Sequence, residues 1–214
     1  MPPKAKFTRQ EIIDAAVDIA RHAPLEAITA QELANVLGTS TRPVFTYFRT
    51  LEEVRDAVVE EAGKIFGQYV ERGLSMKPPF KGYGMESIRF AREEPNLFRL
   101  LFLSPSGSVP GEILPEDAHA AEIRAAIRAT FSLSEEDAAA LHRHLWVYVH
   151  GLCTLIVTQR CTVSDAQAAE LLGEVCRALL IAQRVPHDDR TAIIPGKDVD
   201  AGQLDGYITV PGRS

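Results

Sequence analysis

Apolar residues in this 214-residue chain recur at steps of three and four, with charged and polar residues between them. That rhythm puts successive apolar side chains on one face of a helix. The alternation that marks a half-buried strand is missing, so the pattern predicts an all-α fold of about nine helices. Four helix starts carry a chemical signature as well: Thr8-Arg9-Gln10-Glu11, Thr29-Ala30-Gln31-Glu32, Thr50-Leu51-Glu52-Glu53 and Ser164-Asp165-Ala166-Gln167. In each, a hydroxyl can accept an orphan backbone N–H while the Glu or Gln returns a bond.

The first helix is expected over about Arg9 to His22, with Ile12, Ile13, Ala16, Val17 and Ala20 inward, stopping before Pro24. A second runs from Ala30 to Leu37 and ends at Gly38, which suits a left-handed C-terminal residue. A third starts after Ser40 with Pro43 in its first turn, where the missing N–H costs nothing. A long helix from Leu51 to about Arg72 is closed by Lys77-Pro78-Pro79. Tyr83 to Glu94 and Asn96 to Leu103 follow, divided by Pro95, and then a Pro/Gly/Ser loop from Ser104 to Gly111. Further helices are expected near Glu116 to Thr130, Glu135 to Arg160 and Asp165 to Arg184. Pro186 to Ser214 has no period and reads as an extended or disordered tail. The chain thus divides into residues 1–50, 51–185 and 186–214.

Two short helices joined by a Gly-containing turn, with a third helix behind them, form a helix-turn-helix unit. Leu33, Ala34, Val36 and Leu37 are expected to face the first helix, with Val44 and Phe48 completing that core. Thr41, Arg42, Thr46 and Tyr47 then point outward. These types suit a DNA groove, because Arg can bridge two acceptors on guanine, Thr offers a hydroxyl and a methyl, and Tyr reaches phosphate. Thr29 and Ser40 stand at helix N-termini, whose free N–H groups favour a phosphate oxygen.

The segment ITAQELANVLGTSTRPVFTYFRTLEEV resembles the DNA-binding domain of the tetracycline repressor (TetR) family, over about Phe7 to Val54. The resemblance implies base-edge contacts from Thr41, Arg42 and Pro43, and phosphate contacts from Thr29, Thr46 and Tyr47. Two positions depart from the family pattern: Phe45 replaces a Tyr that reaches phosphate, and Leu51 replaces a Lys. Lys4 and Lys6 offer compensation, since each neutralised phosphate releases counterions. RFAREEPNLFRLLF and WVYVHG also resemble a subgroup of that family marked by Trp146, His150 and Gly151. Gly151 is expected to let a crossing helix approach closely.

Charge sharpens the division of the chain. The net charge is −6, yet residues 1–50 carry six Lys and Arg against five Asp and Glu, so the acidity lies downstream. The hydrophobic share of 46% is that of a globular protein. Cys153, Cys161 and Cys176 form no CxxC pair and sit in apolar helical patterns, which points to core positions and a cytoplasmic location. No membrane span is expected, because the longest apolar run, about Leu145 to Val157, is too short.

The last two helices present broad apolar faces suited to a four-helix homodimer interface. Phe66, Phe90, Phe98, Phe102, Trp146 and His150 are candidates for an apolar effector pocket, with plain core packing as the alternative. His142 and His144 are two apart, on different helix faces, and neither has metal-ligand spacing to His150. No nucleophile with a base, Gly-rich phosphate loop or carboxylate pair is found, so neither enzyme nor cofactor is expected. The reading is a homodimeric regulator of an operator in double-stranded DNA, responsive to a small molecule. The alternative is a helical carrier or protein-interaction module whose first bundle does not read DNA.

Overall fold

A computed structural model describes residues 7–104 and 119–182. The expectations for Lys4, Lys6, most of the loop from Ser104 to Gly111 and the tail from 186 lie outside those residues. Among the described residues the fold is all-helical: α1 (Arg9–His22), α2 (Ala30–Val36), α3 (Leu51–Leu74), α4 (Pro79–Glu93), α5 (Pro95–Phe102), α6 (Ala120–Phe131), α7 (Glu135–Val157) and α8 (Asp165–Ala182). Short 3-10 turns cover Leu25–Ala27 and Val44–Thr46. No described helix is long and apolar enough to cross a membrane.

The caps form as their chemistry dictates. Thr8 and Glu11 exchange both bonds, as do Ser164 and Gln167. Thr29 and Thr50 accept from the backbone of Glu32 and Glu53. Glu53 returns its bond to the Arg49 N–H at 2.7 Å rather than to its own cap residue. The proline pair after α3 has the opposite role to the one expected. Pro79 is the first residue of α4, where a residue without an N–H is tolerated, and α3 has already ended at Leu74.

One apolar core runs from α1 through α3, α4 and α5 to α7 and α8, and a second fills the space between the end of α3, the start of α4, α6 and α7. The α3–α4 contact is the most extensive among the described residues. It tightens at two glycines. A Cβ on Gly82 would stand 2.1 Å from the Gly73 carbonyl oxygen, so the two main chains touch there and only hydrogen fits between them. Further along the same seam, Glu86 is 2% exposed and is held by Arg72 at 2.5 Å and Arg89 at 2.7 Å. Those bonds offset the cost of burying its charge.

Candidate functional site

The surface around residues 29–50 is built on a small apolar base. Ile12, Ala16, Ile28, Leu33, Val44 and Phe48 are buried together, and Gly38 takes φ +61° to turn the chain between them. The expected third helix is a single 3-10 turn, Val44–Thr46, continued by a bond from the Phe48 N–H to the Val44 carbonyl. Val44 and Phe48 therefore face inward as their spacing requires. Arg42, Phe45, Thr46 and Tyr47 are exposed, and so are Thr29 and Ser40. Thr41 and Pro43 are half-buried, so Thr41 projects less than expected. Val36 departs further: it is 48% exposed rather than buried against α1. The core there is completed by Leu33, Ala34 and half-buried Leu37.

The Thr29 hydroxyl already accepts the Glu32 N–H at 3.1 Å, and its own hydrogen is left to donate outward. Ser40 caps no α-helix, because none begins there, so a phosphate site at that residue has no helix terminus behind it. Two arginines outside the expected set stiffen the unit. The Arg9 guanidinium lies 5.0 Å over the Phe48 ring, and Arg55 on α3 donates to the Ile28 carbonyl at 3.3 Å.

A second candidate site lies between α3, α4, α5 and α7. Phe66, Phe98, Phe102, Trp146 and His150 line a cavity with free volume of about 20 Å³, room for about one water. Phe90 is a correction to the expected lining. It is 0% exposed and packs behind the wall, 5.1 Å from Phe66 and 5.2 Å from Tyr69. Tyr83, Ser87, Val149 and Cys153 complete the lining and were not singled out from the sequence. A signal was present: 146, 149, 150 and 153 form one stripe along a helix, and 83 and 87 are four apart.

Trp146 stacks on His150 with centroids 4.6 Å apart and planes 21° apart, and Phe98 and Phe102 each lie 5.5 Å from the same imidazole. Burial among these rings pushes the His150 pKa below its ordinary value, so the imidazole is neutral at neutral pH. The Cys153 thiol is pushed up to about 12 by burial and is not a ready nucleophile. His142 packs 5.9 Å from the Tyr83 ring, while His144 is exposed. Among the described residues no three His, Cys, Asp or Glu side chains converge as a metal site. Gly151 departs from expectation, since it is exposed and none of the described residues of another element lies within 4 Å of where its Cβ would be.

The two sites are joined by polar bonds. Arg21 near the end of α1 meets both oxygens of Glu94, at 3.1 and 3.0 Å, and Asn96 donates to the Arg21 carbonyl at 2.7 Å. Glu94 and Asn96 flank the start of α5, the helix that carries Phe98 and Phe102. The Glu94 carboxylate, and to a lesser degree Asp18, holds the Arg21 guanidinium above its ordinary pKa. Replacing Glu94 with Gln is expected to cost about 1 kcal/mol locally, since the pair is partly open to water. Amide exchange over residues 19–27 should speed up about fivefold by mass spectrometry. Unchanged exchange would show that the α1–α5 junction does not depend on this ion pair.

A small unit of α1, α2 and a 3-10 turn stands on a larger helical body that holds an aromatic cavity. Residues 80–192, more than half of the chain, match the family model described as Tetracyclin repressor-like, C-terminal domain. The chain belongs to the TetR family of regulators. No curated protein matches it. The matched model carries the family and not the Trp-His-Gly subgroup.

Proposed function

We propose that the chain is a cytoplasmic transcriptional repressor that binds a pseudo-palindromic operator as a homodimer and is released by a small apolar or amphipathic ligand. In this reading residues 1–50 read DNA, and residues 51–185 sense the ligand and dimerise. The observation that carries the DNA half is the segment 40–48, where a buried pair, Val44 and Phe48, fixes a turn whose Arg42, Thr46 and Tyr47 are left in solvent. Such a display leaves hydrogen-bonding groups open to a partner, and a groove offers an acceptor or donor for each. Thr29, Thr46 and Tyr47 serve phosphates in this assignment, and Thr41, Arg42 and Pro43 serve base edges.

The sensing half is supported by the aromatic cavity and by its bonded route to α1. Dimerisation is supported by apolar surface that one subunit leaves open. On α7, Val147 is 50% and Leu155 44% exposed, one turn either side of Gly151. On α8 only Ala168 and Leu172 are buried, while Leu171, Val175 and Leu179 stay partly open. A ligand switches such a dimer only through different affinities for the two states of the protein.

Arg42→Ala is the test of the DNA reading. In gel-shift titrations on the chain's own upstream DNA, the loss should be about 1–3 kcal/mol and should vanish when one particular base pair is changed. An equal loss on random DNA reassigns Arg42 to phosphate. No sequence-dependent binding by the unsubstituted chain removes the repressor reading.

A further inference from the structure

The cavity behind α5 and α7 is lined by six rings, those of Phe66, Tyr83, Phe98, Phe102, Trp146 and His150, and among the described residues by no Lys, Arg, Asp or Glu. An ionised guest would lose its hydration there and meet no opposite charge. Rings in offset or edge-on contact are the favourable partners for such a wall. The free volume of about 20 Å³ does not admit even a single benzene-sized ring, so a guest needs a side chain to move. Trp146 is half-buried, whereas Phe98, Tyr83 and Cys153 are buried. The imidazole nitrogens of His150 have no hydrogen-bond partner among the described residues, although the ring lies against three others.

We propose that Trp146 is a placeholder for the effector: an uncharged, flat aromatic molecule of one or two fused rings, bearing a hydroxyl or N–H, displaces the indole from His150 and hydrogen-bonds to that imidazole. This rests on the cavity being the effector site. The stack of Trp146 on His150 is then the ligand-free state, and the guest restores the same ring-on-ring contact with its own plane. The cost of expelling the indole is subtracted from the affinity of every ligand.

The chain has one Trp, so 5-fluorotryptophan labels position 146 alone. With 2-naphthol added to the full chain, the single fluorine resonance should move and take on the H₂O/D₂O shift of a solvent-exposed group. Calorimetry should show 2-naphthol binding at least tenfold tighter than decahydro-2-naphthol, 2-naphthoate or 2-naphthyltrimethylammonium. Trp146→Ala, with helix content checked, should bind 2-naphthol about tenfold tighter still, and Trp146→Leu should move in the same direction if the alanine variant does not fold.

Weaker binding by a folded variant makes Trp146 a wall rather than a placeholder and overturns the proposal. So does a fluorine resonance whose position and H₂O/D₂O shift are unchanged with naphthol bound, equal or tighter binding of either charged compound, or no binding of naphthol by the full chain. Operator release is scored separately. Naphthol that displaces Trp146 while the operator stays bound counts against induction through this cavity and supports the placeholder assignment.

Discussion

Phe90→Ala should lower the stability of the folded chain by about 3–5 kcal/mol, read by urea unfolding at one fixed protein concentration. The ring is fully buried and sits among Phe66, Tyr69 and Phe98 at centroid distances of 5.1, 5.2 and 6.5 Å. Removing it forfeits the transfer of a large apolar group and leaves a hole between α3, α4 and α5 that helices of this length cannot collapse to fill. The substitution separates two roles that aromatic residues take in this chain. A stability loss under 1 kcal/mol together with altered effector affinity would return Phe90 to the pocket.

Charging the open ridge of α7 has the second large effect. The double substitution Val147→Glu with Leu155→Glu should turn a dimer into a monomer in sedimentation, with helix content intact. Both side chains are about half exposed within one subunit, so the monomer tolerates the charge. Across a twofold axis, each carboxylate would be desolvated opposite its own copy. Operator affinity should fall by about a hundredfold or more, because joint engagement of two half-sites is lost. A variant that still sediments as a dimer would move the pairing surface elsewhere.

Much of this fold was legible because its signals are local. The capping hydroxyls Thr8, Thr29, Thr50 and Ser164 each stand one residue before a helix, and Arg9 to His22 begins and ends where its apolar period does. Ambiguity entered where a residue has two permitted uses. Pro79 can end a helix or begin one, and only the packing of Phe80 and Tyr83 into the second core decides for a beginning. Val36 lies at a helical period that either face could claim, and the shortness of α2 leaves it in solvent. The site residues divide the same way. Arg42, Thr46 and Tyr47 were placed by the inward spacing of Val44 and Phe48. Which aromatics face the cavity was set by neighbouring helices: Phe90 and Phe98 are eight apart in sequence, yet only Phe98 reaches it. The ties of Arg21 to Glu94 and Asn96 span more than seventy residues, and no periodicity reports them.

The glycine contact between α3 and α4 fixes a fulcrum. Where Gly73 meets Gly82 the main chains are in contact, so a tilt of α3 against α4 that keeps this contact pivots about that point. From Gly73 back to Leu51 is about 33 Å at 1.5 Å per residue. A tilt of about 6° at the crossing therefore swings the start of α3 through roughly 3 Å, and Arg55 and Thr50 travel with it. A small wedge driven between the helices near the cavity is thereby magnified at the far end of the lever.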